Sequence, residues 1–118
     1  MPEFLLRYKL PPNLSTDRDL EMFLDQVTEM AEEVQRAAES VFHMSVVWEM
    51  REFGRSRGMP NFYVTGWVTD NEDFKAPTVI EAQEKILERM KELTPKDTKV
   101  GCWFQRVKGK WGEANGLL

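Results

Sequence analysis

Residues 42–69 constrain the fold of this 118-residue chain more than any other stretch, because they contain two strand patterns separated by a loop. Residues 44–50 and 62–69 alternate apolar with polar or smaller side chains, which is the period of a strand with one buried face. Residues 51–61 contain two glycines, a proline and three arginines, a composition typical of an irregular loop. The stretch therefore predicts a β-hairpin with a long, basic connection.

Two more strands and a long helix are predicted around this hairpin. Residues 3–10 and 99–107 alternate as strands do. Apolar residues recur at every third or fourth position over residues 20–38, which predicts a helix with one continuous apolar stripe. Ser15 or Thr16 can cap the first turn of that helix.

A second helix is predicted to begin at Thr78 and to end before Pro95. Thr78 and Glu81 have the spacing of a capping box, in which each side chain bonds the other residue's backbone amide. The order strand, helix, strand, strand, helix, strand predicts an α+β two-layer sandwich. Its expected form is a ferredoxin-like βαββαβ fold with a four-stranded antiparallel sheet, the first and third strands central, and both helices on one face.

The length and composition fit a single domain, residues 1–107, followed by a C-terminal tail, residues 108–118. No apolar run approaches the roughly 20 residues that cross a membrane, and the first residues do not resemble a signal peptide. Cys102 is the only cysteine, so an internal disulfide is excluded and a reducing compartment is favoured. A cytoplasmic protein without membrane association is expected.

The sheet face away from the helices is the predicted binding surface, because it combines aromatic and basic side chains. Such a mixture is enriched in protein interfaces. The leading hypothesis is a small non-enzymatic binding module that uses this face and the basic loop to engage a protein partner or to self-associate, for example as a homodimer. The candidate partner-binding residues are Arg7, Lys9, Arg51, Arg55, Arg57, Tyr63, Trp67 and Trp103.

Two alternatives use the same features differently. Aromatic and basic residues on a sheet also suit stacked bases, so the face could bind single-stranded nucleic acid, although the net charge of −4 argues against it. The first helix is strongly acidic, and Glu29, Glu32 and Glu33 could imitate phosphates. A phage- or virus-type regulator could use them to inhibit a nucleic-acid enzyme.

The sequence contains no recognisable catalytic or metal-binding motif. It has one histidine and one cysteine, and a metal site normally needs several such ligands. Arg55, Arg57 and Asn61 are the residues that could position phosphate and water in a small enzyme of this fold. We therefore expect no catalytic residue, no metal and no cofactor, and we leave enzymatic activity open.

Overall fold

The computed structural model describes residues 2–108. Apart from Lys108, the predicted tail of residues 108–118 lies outside the described residues. The elements in chain order are β1 (Glu3–Tyr8), α1 (Asp17–Phe42), β2 (Val47–Glu52), β3 (Phe62–Thr69), a short 3₁₀ turn (Glu72–Phe74), α2 (Ala76–Leu93) and β4 (Val100–Val107).

The four strands form one mixed sheet in the order β2-β1-β3-β4. β1 pairs in parallel with β2 and antiparallel with β3, while β3 pairs in parallel with β4. The α+β class, the two helices and the central positions of β1 and β3 agree with the prediction. The predicted antiparallel, ferredoxin-like sheet is wrong, because β2 lies beside β1 rather than beside β3.

The predicted hairpin does not form. At the end of β1, Tyr8 pairs with Glu52 of β2 on one side and with Phe62 of β3 on the other. The connection of residues 53–61 therefore crosses the end of β1. It is bonded at both sides, since the Phe53 amide donates to the Tyr8 carbonyl at 2.8 Å and the Lys9 amide donates to the Asn61 carbonyl at 3.0 Å. Instead, α1 joins β1 to its parallel neighbour β2, and these three elements form a βαβ unit.

The two helices begin differently. Thr16 caps α1 as predicted, because its side chain accepts a hydrogen bond from the Asp19 amide at 3.1 Å. α2 begins at Ala76, before the predicted capping box, and Lys75 provides no side-chain cap. Pro77 stands in the first turn of α2, where its missing amide hydrogen costs nothing. The predicted start of the second helix is therefore wrong by two residues.

The core lies between the helices and one face of the sheet, and among the described residues its buried members are apolar, with no buried polar or charged residue. Val64, Gly66 and Val68 of β3 all point into it, as their alternation predicts. Among the described residues, no helix is both long and apolar enough to cross a membrane. The cytoplasmic location stays a prediction.

Candidate functional site

The open face of the sheet brings three of the predicted binding residues into one row. Arg7 of β1 pairs with Arg51 of β2 on one side and with Tyr63 of β3 on the other. Tyr63 in turn lies across Gly101, where an added Cβ would stand 2.8 Å from the tyrosine ring. Arg51 is exposed and pairs with exposed Glu49 at 2.9 Å, an ion pair that contributes little to stability.

Arg7 is held tightly on this face. Its guanidinium lies 5.0 Å from the Phe53 ring centroid and 5.8 Å from the Tyr63 centroid, which are attractive cation–π distances. One terminal nitrogen donates a long bond of 3.4 Å to the Thr65 hydroxyl. The Arg7 Nε atom is buried, and no hydrogen-bond partner for it exists among residues 2–108.

The remaining predicted surface residues do not join this row. Trp103 is 53% exposed and stands beside Thr65, one row further along the sheet. Trp67 is only partly exposed and stands beside Glu3, in the row after that. Arg55 and Arg57 are exposed in the loop between β2 and β3. The aromatic residues are therefore distributed over several rows rather than stacked as one platform.

The acidic residues predicted on the first helix lie in the other layer of the molecule. Glu29, Glu32 and Glu33 line a cleft of about 830 Å³ at the end of the helical layer, and Lys9 lines it from the β1 side. Glu33 is neutralised, because its two oxygens accept from Arg36 at 2.7 Å and from Arg89 at 3.2 Å. The acidic residues and the sheet face thus belong to separate surfaces.

The ordinary acid–base side chains are poorly placed for catalysis. Burial raises the pKa of the Cys102 thiol to about 12, so this cysteine is not a nucleophile near neutral pH. Burial, and then the carboxylate of Glu52, raise the pKa of the Tyr8 phenol. His43 is exposed in the left-handed cap that ends α1. Within residues 2–108 no group of three or more His, Cys, Asp or Glu side chains could hold a metal ion.

Pro2 is the residue that sequence reasoning missed. Its side chain is fully buried immediately before β1, and its carbonyl accepts a hydrogen bond from the Val47 amide at 3.2 Å. The pairing of Glu3 with Val47 and with Trp67 places Pro2 level with Val46 and Val68. A proline has no amide to donate to the strand ladder, so it is tolerated at the start of a central strand but not in its interior. That rule was the only signal in the sequence.

A cation stands in the same row as Pro2. Val68 pairs with Arg106 of β4, so Arg106 lies two strands from Pro2, a separation of about 10 Å between backbones. The Arg106 guanidinium forms an ion pair with Asp70 at 3.3 Å, and both side chains are partly exposed. The row of the sheet at the N-terminal end of β1 therefore contains a buried proline and, two strands away on β4, a solvent-accessible arginine.

Comparison with known proteins identifies the fold but no sequence relative. No protein-family model and no curated protein matches the chain. A fused 4-OT, solved as an asymmetric trimer, is 9% identical with a TM-score of 0.63 and covers 98% of each chain. Pt0534 inactivated by 2-oxo-3-pentynoate is 14% identical with a TM-score of 0.61, over 97% of this chain and 98% of that one. Macrophage migration inhibitory factor from Toxoplasma gondii is 12% identical with a TM-score of 0.56, over 90% of each chain.

These comparisons correct the predicted function. The structural neighbours are 4-OT/MIF tautomerase-like proteins, which are enzymes or proteins of unknown function, and none of them supports a binding-only module. The prediction of a small non-enzymatic binding module is therefore wrong. The single-stranded nucleic-acid, inhibitor, regulator and dimer interpretations likewise find no support. At these identities the shared feature is the fold: the chain has the βαββαβ architecture of the 4-OT/MIF tautomerase-like proteins.

Proposed function

We propose that this protein is a tautomerase-like enzyme that acts on a small 2-oxo acid, with the amine of Pro2 as its general acid–base group. The observation that carries the proposal is the burial of Pro2 at the head of central strand β1, in a fold shared with a protein that 2-oxo-3-pentynoate inactivates. The reaction moves one proton from one atom of the substrate to another, so it needs no oxidant and no second reactant.

The chemistry requires that Pro2 be the first residue of the mature chain, because an amide nitrogen is not basic. A free α-amino group has a pKa of about 8, and burial among apolar side chains favours its neutral form. Such a group exchanges protons efficiently near neutral pH. The side chains of Val46 and Val68, which flank Pro2 in the sheet, are both buried and apolar.

Cys102 and His43 are poorer candidates than Pro2 for the general acid–base group. Cys102 has a pKa raised to about 12, and His43 is an exposed residue at the end of α1. Arg106, in the same row as Pro2, is the cation that we assign to the substrate carboxylate, since a guanidinium matches a carboxylate with two parallel hydrogen bonds. The Asp70 carboxylate, which pairs with the Arg106 guanidinium, occupies part of the position that we assign to the substrate carboxylate.

The test combines the mass of the intact protein with a ketonisation assay on the enol of phenylpyruvate. We expect Met1 to be absent, activity to be present, and 2-oxo-3-pentynoate to add covalently to the N-terminal peptide. Pro2→Ala should lower kcat/KM by about a hundredfold or more. The activity of the unmodified protein should decrease as the pH falls below the pKa of the amine, because the base becomes protonated.

Pro77→Ala is the matched control, because Pro77 is an exposed proline in the first turn of α2. It should leave kcat/KM unchanged. Activity in a protein that retains Met1, or equal activity of Pro2→Ala and the unmodified protein, would contradict the role of Pro2. No ketonisation by the protein lacking Met1 would contradict the proposed reaction itself.

We further propose that copies of this chain associate through the open sheet face. Trp103 of β4 and Val47 of β2 lie on the two edge strands of that face and are 53% and 46% exposed, so large apolar side chains contact solvent at both edges. The buried Nε of Arg7 finds no acceptor within the described part of the chain, and a buried donor without a partner is costly. A second copy could cover these apolar residues, whereas the Arg7 Nε atom is already enclosed by its own chain.

A further inference from the structure

The cleft beside α1 exists because the two helices differ in length. α1 has 26 residues and α2 has 18, so α1 is longer by about 12 Å at 1.5 Å per residue. The helices are held together by contacts such as Arg89 to Glu33. Beyond Leu93, where α2 ends, α1 continues without a helical neighbour, and the cleft opens between α1, the segment after β1 and the turn that precedes β4.

The floor and edges of this cleft are apolar. Phe23 of α1 and Phe62 of β3 stack with centroids 6.5 Å apart, and both line the cleft. Leu10 and Leu93 stand at its edges with 38% and 40% of their surface exposed. A concave, largely apolar space of 300–1,000 Å³ is the usual form of a small-molecule site, and this cleft of about 830 Å³ falls within that range.

The charges that line the cleft are unequal. Glu33 is paired with both Arg36 and Arg89, so it attracts no further cation strongly. Glu29 and Glu32 line the same wall and are exposed. In the described part of the chain neither of them has a cation within ion-pair distance. Lys9 lines the cleft from the β1 side, which disfavours a ligand with several positive charges.

We propose that this cleft is a second ligand site and that it takes an apolar molecule carrying a single ammonium group. The apolar body of the ligand packs against Phe23, Phe62 and Leu93, and its ammonium group meets the carboxylates of Glu29 and Glu32. The cleft lies at the C-terminal end of β1, whereas Pro2 precedes the N-terminal end. The site is therefore separate from the proposed catalytic proline and does not depend on it.

The test is a titration of the isotope-labelled full chain with 2-phenylethylamine, followed by amide chemical shifts. We expect saturable shifts at cleft residues such as Leu10, Gln26 and Leu93, and much weaker binding of 3-phenylpropionate, which has the same ring but a carboxylate. Glu29→Gln combined with Glu32→Gln should weaken amine binding about fivefold, the combined effect of two exposed ion pairs.

Glu84→Gln combined with Glu88→Gln is the control, because it removes the same charge from exposed positions of α2 that do not line the cleft. This variant and Pro2→Ala should bind the amine like the unmodified protein. The proposal is overturned if the amine causes no saturable shift, if the shifts lie at the Pro2 end, if 3-phenylpropionate binds as tightly, or if both pairs of substitutions weaken binding equally.

Discussion

At the scale of single residues, Gly66 shows what alternation alone does not reveal. The sequence predicts that residue 66 faces the core, but not why a glycine stands there. Gly66 pairs with Phe104, and a Cβ at this position would overlap the Phe104 ring. The ring of Phe104 therefore occupies the space of the missing side chain, and it also packs against Phe42 at 5.8 Å between centroids.

We predict that Gly66→Ala destabilises the protein by about 1–3 kcal/mol, because an added methyl in a packed core displaces its neighbours. Urea denaturation measures the change as a lower midpoint. Gly54→Ala is the control, since nothing lies within 4 Å of its added Cβ. Phe104→Leu introduced with Gly66→Ala should recover part of the loss. Equal midpoints for the two glycine variants would show that Phe104 does not fill this space.

Pro2 and Cys102 mark the limit of residue-scale reasoning from sequence. Alternation correctly predicts that Cys102 faces the core, and burial accounts for its high pKa. In contrast, nothing in the composition distinguishes Pro2 from any proline near a chain end. The role proposed for Pro2 depends on where β1 lies in the sheet, and the central position of a strand is a property of the whole fold.

At the scale of elements, the two helix starts show that a motif must coincide with the true boundary. Both Thr16 and Thr78 are followed three residues later by an acidic residue, so both resemble capping boxes. At the start of α1 the Asp19 carboxylate accepts from the Ser15 hydroxyl at 3.0 Å. That bond, followed by the one from Thr16, lowers the pKa of Asp19. Thr78 already lies inside α2, where its hydroxyl has no cap to form.

We predict that alanine destabilises the protein at Thr16 and has little effect at Thr78. Thr16→Ala should cost about 1 kcal/mol, the usual loss when an N-cap is removed. Thr78→Ala should change the free energy of unfolding by less than about 0.5 kcal/mol, because alanine is a good helix former at an interior position. Thermal and urea unfolding of both variants measure this difference. A larger loss at Thr78 than at Thr16 would place the start of α2 at the predicted capping box.

At the scale of the whole molecule, the sequence predicts where the strands lie in the chain but not which strands pair with each other. The bounds of β3 follow directly from its alternation, and the apolar stripe of α1 correctly predicts the helix. β2 can pair with β3 as a hairpin or with β1 as a parallel neighbour, and its inward residues are the same in both arrangements. The only discriminating feature is the connection of residues 53–61, which is longer than the two to five residues usual in a hairpin.

The mixed topology also decides what the open face can do. In the row Arg51, Arg7, Tyr63, two arginines are direct neighbours, and like charges in that arrangement repel. Among residues 2–108 neither Lys9 nor the loop arginines join them. The feature of this face on which the proposed contact between copies rests is therefore the exposed Trp103 rather than its basic residues.

We predict that the pure protein associates and that Trp103 is central to the contact. Its apparent mass in sedimentation equilibrium should increase when the protein concentration is raised over about two orders of magnitude. Its thermal stability should increase with the protein concentration as well. Trp103→Lys should weaken association at least about tenfold, because it places a charge in the centre of an apolar contact. Ile80→Lys is the matched control, since Ile80 is 51% exposed but lies on α2. A monomer at every concentration, or equal losses from the two substitutions, would exclude the sheet face as the interface.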